Sequence, residues 1–442
     1  MTIYALSSGA GISGIAVIRI SGKKTKDIIK QITGRELPKP RIASLKKIRE
    51  IKTKELIDEG IIIWFPGPDS YTGEDMAELH VHGSSAVIKS ILDNISKISN
   101  CRLAEAGEFT KIAFQNEKIN LLKAESIGDL IAAETDLQRK QALKIMSGKS
   151  SDKFNLWRQS LLKILSNLEA KIDFPDEDLP NDIINNIKKN SEKVKLEIKK
   201  TLDDSKVGER IREGFKIAIL GPTNVGKSSM LNYFSKREAA IVSEIAGTTR
   251  DIVEVHLNID GYPVVMSDTA GIRNSKDEIE KKGIKLALKK AEDADLNLLV
   301  FDPKNLDFTS FLKELNLEKC IFIINKSDLG IIESKNLVQH NPISISIKEE
   351  TNIDKLILKI KENLKNKFVN IEDTLITRER HRQHLQQCIE HLEKFSRKEK
   401  EKDFDKAAED LRLATRHLGM LVGKVDVEEI LGSIFKDFCI GK

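Results

Sequence analysis

A chain of 442 residues is too long for a single core and sets an expectation of about two to four domains. Charged residues make up 32% and aromatics only 5%, which favours helix-rich, solvent-facing segments over a β-sandwich, and the net charge of +5 permits nucleic-acid contact without demonstrating it. The four cysteines, Cys101, Cys320, Cys388 and Cys439, include no Cys-x-x-Cys pair, which fits a reducing compartment and argues against structural zinc. Residues 1–14 lack a basic, apolar leader pattern and no apolar run has the length of a membrane span, so the reading is a soluble cytoplasmic protein without a membrane partner.

Residues 1–118 read as an α+β domain. Ile3 to Leu6, Ile15 to Ile20, Gly60 to Phe65 and Ala77 to His82 have strand patterning; Lys24 to Ile32 and Ser85 to Ile98 have helical spacing. Arg19 and Glu78 stand inside such strands, and Lys118 ends a polar stretch; taken alone, each suits an edge or surface charge. His80 and His82 share a strand face, but no further Cys or His cluster nearby supports a metal. From 119 to 210 the spacing is helical. One stripe contains Leu121, Leu122, Ile127, Leu130 and Ile131, and another Phe154, Trp157, Leu161, Leu162, Leu165 and Leu168. Asp173 to Pro180 is a break, and Ile183 to Leu202 a lysine-rich amphipathic helix whose charges read as a solvated face.

Strands and helices then alternate, the pattern of a mostly parallel sheet. The predicted strands are Phe215–Leu220, Ile252–Ile259, Pro263–Ser267, Leu296–Phe301, Cys320–Ile324 and Pro342–Ile347. After 375 the chain is helical again, first around Arg378, Arg380, Arg382, His381, His384 and His391. No turn-rich linker separates the two helical parts from the sheet. The simplest architecture therefore packs them together with the sheet domain inserted between them.

Phe215–Leu220 leads into Gly221-Pro222-Thr223-Asn224-Val225-Gly226-Lys227-Ser228, followed by Ser229 and a helix. Strand, G-x-x-x-x-G-K-S and helix make a P-loop. Its glycines let backbone N–H groups turn inward around phosphate, Lys227 reaches the β- and γ-phosphates, and the Ser228 hydroxyl can ligate Mg²⁺. Gly247-Thr248-Thr249-Arg250-Asp251 follows, where a threonine can complete the Mg²⁺ shell. Asp268-Thr269-Ala270-Gly271 ends a strand, Asp268 holding Mg²⁺ through water and the Gly271 N–H meeting the γ-phosphate. In Asn325-Lys326-Ser327-Asp328, the Asp328 carboxylate accepts from guanine N1–H and N2–H₂, so GTP is chosen over ATP. Ser346-Ile347-Lys348 offers a backbone N–H to guanine O6. Ile272 stands where Ras-type proteins place a glutamine that orients water. An outside arginine would normally supply roughly 10³–10⁵-fold. Asn224 beside the phosphates offers another route, a carboxamide oxygen holding a monovalent cation, and the acidic run Asp277 to Glu280 can reach the water.

The chain resembles the tRNA-modification GTPases of the MnmE (TrmE) type nearly end to end. The resemblance is carried by Val17-Ile18-Arg19-Ile20-Ser21-Gly22, Tyr71-Thr72-Gly73-Glu74-Asp75, Gly107-Glu108-Phe109-Thr110, Ile172-Asp173-Phe174-Pro175, the GTPase motifs and the terminal Phe438-Cys439-Ile440-Gly441-Lys442. It implies a multidomain fold: an α+β folate-binding and dimerising domain (1–118), an all-α helical domain (119–210 and 373–442) and an inserted α/β Ras-like P-loop G domain (211–372). The activity it implies, with an FAD-containing partner MnmG, is addition of an aminomethyl or carboxymethylaminomethyl group to C5 of the wobble uridine of certain tRNAs. The carbon would come from a reduced folate, 5-formyl- or methylene-tetrahydrofolate. K⁺-dependent GTP hydrolysis would drive pairing of G domains in a homodimer, which forms a heterotetramer with MnmG.

Mapped onto this chain, the resemblance puts K⁺ on Asn224, Ser243, Ile245 and Thr248, and Mg²⁺ on Ser228 and Thr249. Glu280 would position the water, with Lys227 and Asn224 completing the catalytic set. Nucleotide contacts would come from Asn224, Val225, Gly226, Lys227, Ser228 and Ser229; from Ser243, Glu244, Ile245, Ala246, Gly247, Thr248 and Thr249; from Asp268, Thr269, Ala270 and Gly271; and from Asn325, Lys326, Asp328, Ser346, Ile347 and Lys348. Folate would fall on Arg19, Glu78, Lys118 and Lys442. Cys439, among apolar neighbours, suits packing better than nucleophilic attack. The chain departs from the family pattern at Ser7 to Gly11, at Ser84, at Ala106 and at Ile347, the first three touching the expected folate pocket. Two other readings are a ribosome-assembly GTPase, which would carry a nucleic-acid module with a G-x-x-G loop, and a helical scaffold with a decayed nucleotide site, against which Lys227, Asp268 and Asp328 stand.

Overall fold

The computed structural model describes all residues except 35, 174–182, 205, 238–239, 242–252, 269–286, 304–313, 331–338, 370, 372–373, 399–403, 426–430, 432–433, 436–437, 439 and 442. Two compact bodies are distinguished: Met1–Gly128 with Ile145–Gln159 and Thr415–Lys442, and Asp129–Lys144 with Ser160–Ala414.

The first body is built on a six-stranded sheet of β1 (Thr2–Leu6), β2 (Ser13–Ser21), β3 (Ser44–Arg49), β4 (Leu56–Phe65), β5 (Met76–Gly83) and β6 (Cys101–Leu103), in the order β3-β4-β5-β2-β1-β6. All neighbours are antiparallel except β1 and β6. Alternation along each strand sends Ile18, Ile20, Ile62, Trp64 and Leu79 to one face. There α1 (Thr25–Thr33) and α2 (Ser85–Ser96) bury Ile28, Ile29, Ile32, Ile91 and Ile95 against them. The other face carries the polar pair Arg19 and Glu78, opposite one another in register between β2 and β5. Two strands escaped the sequence reading. Lys46 and Lys47 mask the alternation of the edge strand β3, where charge protects an unpaired edge. β6 is three residues long, too short to show a period. The helices α3 (Glu108–Gln115) and α4 (Leu121–Ile131) follow, and Leu121 and Ala124 pack with Leu431, Ile434, Phe435 and Phe438 from the other end of the chain.

In the second body a seven-stranded sheet comprises β7 (Phe215–Leu220), β8 (Ala240–Ile241), β9 (Val253–Ile259), β10 (Tyr262–Asp268), β11 (Leu296–Phe301), β12 (Cys320–Ile324) and β13 (Ile343–Ser344), in the order β13-β12-β11-β7-β10-β9-β8. The five strands from β13 to β10 are parallel; β9 and β8 run antiparallel. β7, β11 and β12 match their predicted limits because each is a short, mostly apolar run, interrupted only by Lys216 in β7 and Asn297 in β11, and nearly all of it is buried. The last strand is shorter than predicted. It pairs only at Ile343 and Ser344, after which Ser346 bridges to Thr351 and the chain turns. α9 (Lys227–Arg237) and α10 (Ile353–Lys367) bury Met230, Leu231, Phe234, Leu356, Ile360 and Leu364 in the sheet core.

The helices of this body include residues up to 144 of α5 (Asp136–Met146), residues from 160 onward of α6 (Lys149–Asp173), α7 (Ile183–Leu202), α8 (Val207–Glu213), α11 (Glu379–Arg397) and residues up to 414 of α12 (Phe404–Val422). α7 has the predicted limits and packs on α11 through Ile187, Val194 and Ile198. The predicted break at Asp173 to Pro180 lies, beyond Asp173, outside the described residues. Near where the chain passes into the sheet and out again, Arg382 on α11 donates to Glu209 Oε1 (2.7 Å) and Asp204 Oδ1 (2.6 Å) and to the Leu202 carbonyl (2.8 Å). Burial pulls the Arg382 pKa down, but its two carboxylate partners more than reverse this, so the guanidinium stays charged. Arg382→Ala would leave two carboxylates buried without their cation, a loss of about 3–5 kcal/mol. Denaturant unfolding should show it, whereas Arg412→Ala, which breaks a half-exposed pair with Glu169, should cost no more than about 1 kcal/mol.

Candidate functional site: a phosphate loop tied to a base-reading loop

β7 ends at Leu220 and its successor Gly221 has φ +147°, a conformation that a side chain would strain. A Cβ on Gly221 would also lie 2.1 Å from the Val300 carbonyl of β11, so the loop leaves the sheet along a path open only to glycine. Asn224 is left-handed at φ 63° and Gly226 at φ 102°, and α9 starts at Lys227. The curl is therefore fixed by backbone conformation at three positions, and it opens at the carboxyl edge of parallel strands, the usual location of ligands in such sheets.

Lys227 is buried and donates from Nζ to the Gly221 (2.8 Å) and Pro222 (2.6 Å) carbonyls. Burial lowers its pKa, an effect partly offset by Asp268. The Ser228 hydroxyl donates to Asp268 Oδ2 at 2.6 Å. A serine hydroxyl beside a buried carboxylate at the mouth of a phosphate loop is a hard, all-oxygen donor pair, which suits Mg²⁺. Asn224 is exposed, and its side chain has no hydrogen bond among the described residues. Its carbonyl accepts from Lys326 Nζ, which also pairs with Asp302 at 3.0 Å.

Asn325 joins the two halves of the site. Its Nδ2 donates to the Val225 carbonyl in the phosphate loop at 2.8 Å, and its Oδ1 accepts from the Ile347 N–H at 3.3 Å. Ser346 donates to Asp328 Oδ1 at 2.6 Å, and this bond holds the Asp328 carboxyl below the usual carboxylate range. Asp328 is thus an anion near neutral pH, the state that accepts two guanine N–H groups. In the Ser346-Ile347-Lys348 segment, expected to offer a backbone N–H to guanine O6, the Ile347 N–H is engaged by Asn325, and Lys348 lies exposed at the rim. The structure therefore brings together Asn224 through Ser229, Asp268, Asn325, Lys326, Asp328, Ser346 and Ile347. The predicted residues Ser243 to Thr249, Thr269 to Gly271 and Glu280 lie outside the described residues.

In the first body, Arg19 donates from Nη2 (2.8 Å) and Nε (3.2 Å) to Glu78 Oε1. Its guanidinium lies 5.5 Å from the Tyr71 ring centre and 5.7 Å from that of Phe109. Tyr71 donates to or accepts from Thr110 at 2.9 Å, and burial raises its pKa. The terminal segment comes to the same place: the Gly441 carbonyl accepts from Ser7 Oγ (2.8 Å) and from Arg19 Nη1 (3.5 Å), while Ile440 bridges to Ala106. A Cβ on Gly441 would sit 2.2 Å from the Leu6 carbonyl, so the tail docks because it has none there. Lys118 is exposed, and its Cε would lie 3.0 Å from a Cβ on Gly73, in the loop that carries Tyr71. Lys442 and Cys439 lie outside the described residues. His80 approaches Glu78 at 3.4 Å and His82 bonds Asp58 at 2.8 Å, so each has a carboxylate partner. No metal-binding group of His, Cys, Asp and Glu exists among the described residues. The rings of Tyr71 and Phe109 were missed as site residues, although both stand in the stretches that carry the family resemblance.

The model of the MnmE helical domain matches residues 121–439, and that of the GTP-binding protein TrmE N-terminus matches residues 2–118. Among curated proteins, the tRNA modification GTPase MnmE of Pelagibacter ubique is 68% identical over 443 residues, covering all of both chains. The proteins of that name from Rickettsia rickettsii and Rickettsia akari are 46% and 44% identical, again over the full length of both chains.

Gly226→Ala would place a methyl group 2.3 Å from Asn325 Nδ2 in a left-handed backbone. A fluorescent GTP analogue should bind that variant at least about 100-fold more weakly, since the Cβ disrupts both loops at once. With the folded sheet, the phosphate loop and two family models spanning nearly the whole sequence, the chain belongs to the MnmE family of tRNA modification GTPases.

Proposed function

We propose that this protein is a K⁺-activated GTPase that works on tRNA with an FAD-containing partner, MnmG. In this reading it installs an aminomethyl or carboxymethylaminomethyl group at C5 of the wobble uridine, and a reduced folate supplies the carbon. The observation that carries the reading is the Asn325 bridge, which makes phosphate binding and guanine recognition one structure. Asp328, kept anionic by Ser346, supports GTP over ATP. Lys227 binds the phosphates, and Ser228, Asp268 and Thr249 would hold Mg²⁺, which when bound would offset charge on the β- and γ-phosphates.

Ile272 offers no water-orienting amide, and the free Asn224 carboxamide supports a K⁺ site completed by Ser243, Ile245 and Thr248. Glu280 positions the water. GTP turnover should be at least about 10-fold faster in K⁺ than in Na⁺, and Asn224→Ala should abolish that difference while GTP affinity stays within a few-fold. Equal rates in the two salts for the unmodified protein would remove the cation mechanism; retained stimulation in the variant would remove Asn224 from it.

The Arg19 site supports the folate reading. A guanidinium fixed by Glu78 and bordered by two aromatic rings matches a ligand with a flat heterocycle and carboxylates, and the family resemblance adds Lys118 and Lys442 to its contacts. The uncovered end of the same sheet face supports a homodimer: Leu45 is 67% and Ile61 39% exposed, and they are paired across β3 and β4. Cytoplasmic location is consistent with the described helices, none of which is long and apolar enough to cross a membrane. The proposed domain division is 1–118, 119–210 with 373–442, and 211–372. Isothermal titration of the full chain with 5-formyl-tetrahydrofolate should give 1:1 binding that Arg19→Ala weakens at least about 10-fold; unchanged heats would place the ligand elsewhere.

A further inference from the structure

Charge is distributed very unevenly in this chain. α7 carries six lysines and two glutamates, a net charge of +4, in a molecule whose total is +5. The rest of the chain sums to +1, and α7 is the most positive of the described helices. The helix has two sides. Ile187, Ser191, Val194 and Ile198 recur every three or four residues and are buried. Diametrically opposite, Lys189, Lys193 and Lys200 form a row with Leu196, which is 58% exposed. Among the described residues none of these three lysines has an ion pair, whereas Lys195 pairs with Glu192 and Lys199 with Glu393. Glu393 on α11 is held below the ordinary carboxyl value chiefly by its hydrogen bond from Lys199, with Lys195 and Arg397 adding to it. Glu192 and Glu393 are thus taken up by Lys195 and Lys199 and not by the outward row.

We propose that the outward row Lys189, Lys193 and Lys200 of α7 is the surface on which the sugar–phosphate backbone of tRNA docks. This rests on the reading above that tRNA is the substrate. At about 1.5 Å per residue the row is about 16 Å long, a length over which one nucleic-acid strand presents about five phosphates. Flexible ammonium groups without acid partners contact such a backbone by releasing its counterions, with no need for sequence readout. An anionic lipid surface is less well matched. Interfacial helices bury an apolar face in the membrane, and here that face is already used against α11. The other lysine-rich helix, α10, differs in layout: Lys359 pairs with Glu362 and Lys361 with Asp260, and the remaining Lys355, Lys365 and Lys367 fall on different sides of the helix instead of forming one row.

The test is tRNA binding by the full-length protein, with unmodified tRNA transcript, across a series of salt concentrations. Lys189→Gln, Lys193→Gln and Lys200→Gln together should reduce affinity at least about 10-fold at low salt. They should also lower the slope of log K against log[salt] by about 2–3, as loss of three phosphate contacts requires. GTP turnover without tRNA and the unfolding midpoint should be unchanged, since the three side chains are exposed, and Lys193→Glu alone should weaken binding in the same direction. The matching triple glutamine variant at Lys355, Lys365 and Lys367 of α10 should bind as the unmodified protein does. Binding of the α7 variant with the original affinity and slope would overturn the docking surface and leave the tRNA reading intact. Loss of binding to phosphatidylserine vesicles with tRNA binding retained would also overturn it. No tRNA binding by the unmodified protein at low salt would remove the tRNA reading, and the surface with it.

Discussion

The nucleotide site depends on the Asn325 carboxamide. It lies in the loop after β12, whereas the phosphate loop follows β7, and these strands are separated in the sheet by β11. Two loops at that separation would ordinarily move independently. The Asn325 Nδ2 bond to Val225 and the Oδ1 bond from Ile347 fix the phosphate loop, the base-reading loop and the turn after β13 in one arrangement. Lys326 adds a second tie, reaching the Asn224 carbonyl on one side and Asp302 on the other. The glycine at 226 is part of the same constraint, because any side chain there would occupy the space of the amide. Substrate binding consequently meets a formed cradle, and little ordering entropy remains to be lost on the base side.

Most of this was legible in the sequence because chemistry and conformation coincide in short motifs. Glycines at 221 and 226 are demanded by backbone geometry, and the lysine and serine that follow open a helix, so the pattern determines both the turn and its charge. The mostly apolar strands β7, β11 and β12 were equally clear, since burial of nearly all their residues removes any need for alternation. What was hidden depends on contacts between distant residues. Lysine-rich β3 is a strand only because β4 pairs with it. The two rings beside Arg19 come from segments about 40 residues apart, and the carbonyl of Gly441 reaches Arg19 from the far end of the chain. No periodicity encodes such a meeting; the resemblance identified the segments without saying which atoms meet.

The solvated-face reading of α7 was correct about exposure and incomplete about charge. A helix can expose lysines and still pair some of them, as α10 does for Lys359 with Glu362 and Lys361 with Asp260. Around α7, Glu192 of the helix itself is taken up by Lys195, and Glu393 of α11 by Lys199. Sequence spacing places the lysines on the helix surface, but only the packing of α7 on α11 decides which of them keep a partner.

The same logic of distant ties explains how a sheet can be inserted into a helical frame without loosening it. Gly208 in α8, just before the sheet, lies so close to Ile376, just after it, that a Cβ would come within 1.9 Å of the Ile376 carbonyl. The two ends of the insertion are therefore neighbours, the geometry in which an inserted domain strains its host least. Asp129 accepts from Arg212 Nε (2.9 Å) on the ingoing side and from Arg378 Nη2 (2.6 Å) on the outgoing side. Gln141 bonds the Gly208 carbonyl and Lys144 the Thr374 carbonyl, both from α5. One carboxylate and one helix thus hold both crossings. Because these bonds converge on 208–212 and 374–378, any displacement of the sheet during a nucleotide cycle must either turn about this root as a unit or break charged bonds that are largely withdrawn from water, and the second course costs several kcal/mol. Rotation about a stiff root is the motion this architecture favours.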